Sequence, residues 1–194
     1  MAVALVAGYL VGSVPFALLL ARRWGTADLR RIGSGNLGAA NVLRASGLTA
    51  GVLVALLDLA KGALSVSLAE RISDHAAAPA LAGLAAIVGH IYPVWLRFRG
   101  GKGVATACGV FSILTPAVVP PVMAIFLATV WLTKYISLGS MLATLALPPI
   151  AYAVGSPAPA VAVAFAASAL IVFRHRSNLA RLRTGTERRI GARA

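Results

Sequence analysis

Long apolar stretches separated by short polar ones run the length of the chain. Residues 1–21, 48–69, 80–96, 138–154 and 158–173 are almost continuously aliphatic or small. About 20 apolar residues carry a helix across the hydrocarbon of a bilayer, and somewhat fewer suffice where the flanks adapt. Each stretch therefore predicts a membrane-spanning helix, the first despite Pro15, because membrane helices tolerate proline. Segment 104–136 is 33 residues long, too long for one helix, and Pro120-Pro121 is predicted to divide it into two. Residues 24–47 are polar and glycine-rich, while "RISDHAAAP" (71–79) and "GSPAP" (155–159) read as short connections.

Composition agrees. The 194 residues are 59% hydrophobic and only 12% charged, with 18 Lys and Arg against 5 Asp and Glu and a mean hydropathy of +0.87. In a soluble protein a net charge of +13 would suggest nucleic acid, but the aliphatic content excludes that reading. The cations are membrane-side anchors, with some reserved for an anionic ligand. The single cysteine, Cys108, excludes an internal disulfide framework and a CxxC metal site. The first apolar run lacks a preceding basic region, and Arg22 and Arg23 follow it, so it reads as a retained helix rather than a signal peptide.

Charge placement sets the topology. If 104–136 crosses twice, Arg22, Arg23, Arg30, Arg31, Arg44, Arg97, Arg99, Lys102, Lys134 and the seven tail arginines share one side. That gathers sixteen of the eighteen basic residues, leaving Lys61 within a span and Arg71 on the other side. The positive-inside rule selects this solution. The chain is predicted to be an all-α polytopic integral membrane protein, one domain over 1–194. It has seven transmembrane helices, its N-terminus outside and its C-terminus cytoplasmic. The glycine-rich polar motifs then all face the cytoplasm, where phosphorylated metabolites are found. A transporter would line a path through the membrane with polar groups, yet only Asp58 and Lys61 are plainly intramembrane ions. At i, i+3 they can pair, either as a mutually neutralising pair that positions its helix or with a direct catalytic role.

Three motifs carry candidate chemistry. In "RRIGSGNLGAANVLR" (30–44), Gly33, Gly35 and Gly38 allow a ligand close to backbone N–H groups. Ser34, Asn36 and Asn41 add neutral hydrogen-bonding groups, and Arg44 a bidentate cation. The GxGxxG match is not a dinucleotide site, because no strand precedes it. In "RFRGGKGVAT" (97–106), Leu96 stands where a Walker A loop needs glycine and Gly103 follows Lys102, so that pattern also fails. The physical logic of a phosphate cradle remains in Gly100, Gly101 and Gly103, the charge of Lys102, and a helix starting at 104. His90, in "GHIYP" (89–93), reads as a packing residue near the end of the third span. In "FRHRSNLARLRTGTE" (173–187), His175, Asn178 and Arg181 share one helical face, with Glu187 the tail's only acid. "SLGS" (137–140), between the fifth and sixth helices, brings the Ser137 and Ser140 hydroxyls to the same face.

With these residues together, the chain closely resembles the bacterial acyl-phosphate:glycerol-3-phosphate acyltransferases, membrane enzymes of the PlsY type. "GSGNLGAAN" (33–41), "GHIYPVWLRFRGGKGVAT" (89–106) and "RHRSNLARLRTGTE" (174–187) match the family's three cytoplasmic motifs in order. "DLAKG" (58–62) and "SLGS" resemble further family segments. The departure is Ala40, where the family usually carries threonine. The resemblance implies transfer of a fatty acyl group from acyl phosphate to the sn-1 hydroxyl of glycerol 3-phosphate, giving lysophosphatidic acid and phosphate. It implies a site facing the cytoplasm in the bacterial inner membrane, contact with membrane lipids and functional coupling to an acyl-phosphate-forming enzyme. Neither His90 nor His175 has an acid five residues on, and no nucleophile elbow is present. The base is therefore His175 or, as the resemblance favours, the phosphate of glycerol 3-phosphate itself. Lys102, Arg44, Ser140 and Asn178 are expected to bind phosphate. Ser34, Asn36, Asn41 and His175 are expected to orient the hydroxyls and the acyl carbonyl. Nothing demands a metal or an organic cofactor.

Overall fold

The computed structural model describes residues 1–23, Leu29 and residues 35–191, and every regular element among them is a helix. The chain forms two compact units, residues 1–114 and 115–194.

The first unit opens with α1 (Ala2–Gly12) and α2 (Phe16–Arg23). A single helix over 1–21 is thus corrected to two pieces. Pro15 brings no N–H to the ladder and disfavours helix at Val14. The turn closes instead with the Ser13 hydroxyl and backbone N–H both donating to the Leu10 carbonyl, at 2.8 and 3.2 Å. A short helix not anticipated in the polar segment, α3 (Ala39–Ser46), starts after Gly38 and ends at Gly47. The next elements are α4 (Leu48–Ile72), α5 (Ala78–Ile91), a single 3₁₀ turn (Val94–Leu96) and α6 (Val104–Leu114).

In this unit α1 packs on α5 and α4, and α4 on α6. Lipid tails are as apolar as leucine, so helices associate in a bilayer by close van der Waals fit, for which small residues serve best. Gly12 lies against the Ala86 carbonyl and Gly89 against that of Tyr9. Gly62 and Gly109 meet the carbonyls of Thr106 and Leu59. A methyl group at any of these four positions would overlap the facing backbone. The side chains turned away from these seams are apolar and exposed, Val3, Val6, Leu53 and Leu56 among them, as a lipid-facing surface requires.

The second unit contains a 3₁₀ turn (Pro116–Val118), α7 (Val119–Thr133), α8 (Ile136–Ala153), α9 (Ala158–Arg174) and α10 (Arg176–Arg183). Segment 104–136 is indeed two helices, but the break lies at Thr115–Val118, before Pro120-Pro121. The prolines occupy the first turn of α7, where their missing N–H costs no helix bond. Pro148-Pro149 sit inside α8 without ending it. The Ser168 hydroxyl donates to the Thr144 carbonyl, 2.9 Å, and joins α9 to α8.

Among the described residues, five segments are long and apolar enough to cross a membrane: Ala2–Ala21, Leu48–Ile72, Ala78–Leu96, Pro116–Thr133 and Ile136–Ala153. A sixth results if α9 and α10, bent by 54° at His175, are taken as one. The remaining predicted span, α6, has only 11 residues. At 1.5 Å per residue it is about 16 Å long, short of the roughly 30 Å hydrocarbon layer.

Candidate active site

In the first unit the chemistry gathers around the end of α5. His90 is buried there, and its Nδ1 lies 3.5 Å from Asp58 Oδ1. Asp58 and Lys61 form the ion pair that their spacing permits, at 2.8 Å. Lys61 Nζ also donates to the Val14 carbonyl at the α1–α2 break, 2.9 Å, and stands 5.7 Å from the centre of the Phe16 ring. The broken helix end and the buried ammonium therefore satisfy each other. Asp58, Lys61, His90, Phe16, Pro93 and Gly101 contribute to the lining of one small pocket.

The loop leading to α6 is laid on His90. The Gly100 N–H donates to the Ile91 carbonyl, 3.0 Å, and that of Gly101 to the His90 carbonyl, 3.1 Å. A Cβ at Gly100 would overlap the His90 carbonyl, and one at Gly101 the imidazole itself. These two glycines are required by close packing, and their amides are used within the protein. Lys102 follows, half-buried. Gly103 then adopts φ +90°, a conformation open to glycine, and α6 begins. A lysine at this point adds its charge to the positive end of a helix dipole, an arrangement that suits an anion.

Of the 30–44 motif, Gly33 and Ser34 lie outside the described residues. Gly35 has φ +66°, Asn36 is half-buried and Gly38 precedes α3. Buried Asn41 donates its side-chain amide to the Leu29 carbonyl, 3.1 Å. Arg44 lies half-buried in the last turn of the same helix.

In the second unit the structure brings three of the singled-out residues to the carboxylate of a fourth, Glu187. Glu187 Oε1 accepts from the Ser137 hydroxyl and the Asn178 amide, and Oε2 from Arg181 Nε, each at 2.7 Å. Burial by itself pushes the Glu187 carboxyl up. The hydrogen bonds from Ser137, Asn178 and Arg181, with the Arg181 charge, outweigh it and hold the group below its ordinary value. Glu187 thus organises donors, where an anionic ligand would find in it only repulsion. Ser140 is buried one turn along α8 from Ser137. His175, at the α9–α10 corner, is also buried, and its Nδ1 lies 2.8 Å from the Ile171 carbonyl. A carbonyl only accepts, so Nδ1 carries the proton of that bond.

Several contacts escaped the sequence. The Trp95 indole donates to the Ser13 hydroxyl and the Tyr9 hydroxyl to the Tyr92 carbonyl, both at 2.8 Å. The Ile190 N–H reaches the Lys134 carbonyl, 2.8 Å. Their partners are far apart along the chain, and the one available signal was the mismatch of a hydroxyl or indole within an apolar run.

Residues 2–185 match the family model described as glycerol-3-phosphate acyltransferase. A glycerol-3-phosphate acyltransferase of Roseobacter denitrificans is 46% identical over 186 residues, covering 96% of this chain and 92% of its own. One from Syntrophotalea carbinolica is 44% identical over 190 residues, covering 97% and 96%. The fold is similar to the crystal structure of PlsY, an integral membrane glycerol 3-phosphate acyltransferase, in its glycerol 3-phosphate form. The TM-score is 0.92 at 40% identity, with 97% of this chain and 94% of that one covered. The lysophosphatidic acid form of PlsY gives 0.89 at 38% identity, with the same coverage.

Proposed function

The chain belongs to the glycerol-3-phosphate acyltransferase family, and from that premise we propose that it acylates the sn-1 hydroxyl of glycerol 3-phosphate with acyl phosphate as donor. The hydroxyl oxygen attacks the acyl carbonyl carbon, and the carbon–oxygen bond to phosphate breaks with the electron pair leaving on phosphate. Lysophosphatidic acid and inorganic phosphate are released. An acyl phosphate is a mixed anhydride with a good leaving group, so the step needs no strong protein base. The hydroxyl proton passes to the phosphate of glycerol 3-phosphate itself. Residues 1–194 act as one membrane-embedded domain, a reading supported by the family match through both units. Its motifs open to the cytoplasm, as the distribution of cations favours.

Both substrates are anions, and the protein's first task is to hold them against their mutual repulsion. Lys102, set between close-packed glycines at the entry to α6, is the observation that carries the assignment. Its charge and the α6 amides bind the phosphate of glycerol 3-phosphate and remain in place as charge develops at the carbonyl. Arg44 adds a second cation to this task.

The test is Lys102→Ala in purified protein. Acyl transfer should fall by at least about a thousandfold, while membrane insertion and the thermal unfolding midpoint stay at wild-type values. Near-normal turnover in that variant would refute the assignment.

A further inference from the structure

The buried ions of α4 are left over once the reaction is written. We propose that Asp58, acting through His90, is a positioning residue for the Gly100–Gly103 loop and so fixes where Lys102 stands when glycerol 3-phosphate binds. The proposal rests on the reading of Lys102 as a phosphate ligand.

The loop needs to be held. Arg97 and Phe98 are consecutive non-glycine residues at φ +52° and +61°, a left-handed conformation that persists only where the surroundings over-determine it. Its tethers converge on the end of α5. The Phe98 N–H donates to the Pro93 carbonyl, 3.0 Å, and the Gly100 and Gly101 N–H groups to the Ile91 and His90 carbonyls. The His90 imidazole fills the space over Gly101 in which a side chain would lie, with Cε1 2.8 Å from the position of a Cβ. Where His90 sits, the loop sits.

His90 is in turn set by a chain of contacts reaching across the unit. Its Nδ1 faces Asp58, Asp58 holds Lys61, and Lys61 holds the Val14 carbonyl. A pair that served only to neutralise its own charges could be replaced by uncharged residues of similar size with little loss, since desolvating two ions offsets most of their attraction. A pair that aims a histidine could not. That difference separates positioning from a purely structural role.

The experiment uses the full-length protein, purified in detergent. The variants are Asp58→Asn/Lys61→Met, which removes both charges together, and His90→Phe, which keeps an aromatic ring and the Asp58–Lys61 pair but loses the ring nitrogens. Glycerol 3-phosphate Kd by calorimetry, KM and kcat with palmitoyl phosphate, and the unfolding midpoint are measured. Both variants should fold with near-wild-type midpoints. Glycerol 3-phosphate Kd and KM should rise at least about tenfold, while kcat and the palmitoyl phosphate KM stay within about threefold. Wild-type glycerol 3-phosphate affinity in either folded variant overturns the proposal, as does a loss confined to kcat. Failure of both variants to fold assigns the ions to folding alone and overturns it too. Lys102→Ala serves as the reference. Unchanged glycerol 3-phosphate Kd there sinks the phosphate-ligand reading, whereas weakened binding there with normal binding in the other two sinks only the positioning role.

Discussion

At the scale of single residues, His175 decides between two ways of moving a proton. With Nδ1 donating to the Ile171 carbonyl, a base role would fall to Nε2, and an orienting role would not need it to take a proton. In the substrate-assisted route it orients rather than deprotonates. His175→Ala should then lower kcat by about ten- to a hundredfold and leave the shape of the pH–rate profile unchanged. A loss beyond about a thousandfold, together with disappearance of the acidic limb of that profile, would make His175 the base instead. The types of site residue were legible in the sequence, because glycines, amides and cations are rare enough in an aliphatic chain to stand out. Their partners were not. Gly100 and Gly101 read as phosphate donors until the fold showed their amides bound to residues 90 and 91. Nor does any local pattern reveal that Asp58 meets a histidine 32 positions away. Such contacts are settled by helix packing, which a linear pattern does not encode.

At the scale of elements, the tail after α10 is pinned to the start of α8. Glu187 accepts one hydrogen bond there, from Ser137, and two more from Asn178 and Arg181 of α10, while Ile190 and Arg189 add bonds to the Lys134 carbonyl and the Tyr135 hydroxyl. Because the folded Glu187 carboxyl lies below its ordinary 4.5, its contribution to stability is complete above that value. It is lost as pH falls through the lower folded value. Hydrogen-exchange protection factors over 184–191 should therefore be flat from neutrality down to about pH 5, then fall in more acidic solution. In Glu187→Gln the tail should be weakly protected at every pH. A wild-type tail equally protected well below the ordinary glutamate range would show that the carboxylate is not what holds it. The long helices were legible because the apolar runs are long. Boundaries were less so, since proline has two opposite uses. Pro15 helps to end a helix, whereas Pro120-Pro121 begin one, and the pattern of apolar residues is the same around both. The helix α3 was hidden among glycines, although Leu37, Val42 and Leu43 there hinted at a buried face.

At the scale of the whole molecule, the proposed reaction needs both phases, water and membrane. A phosphorylated polyol is found in water and a fatty acyl group in lipid, and they can meet only at the boundary between the two. The similarity to PlsY in its glycerol 3-phosphate and lysophosphatidic acid forms supports the acceptor and the product. The donor is the part of the proposal that the family resemblance implies, and a mixed anhydride, with its good leaving group, asks less of a protein base than an ester would. The most direct test is purified protein with glycerol 3-phosphate and, in parallel, palmitoyl phosphate, palmitoyl-CoA or palmitoyl-acyl carrier protein. Lysophosphatidic acid and an equal amount of inorganic phosphate should form with palmitoyl phosphate alone. Product formed from either thioester, or none from palmitoyl phosphate, would contradict the account.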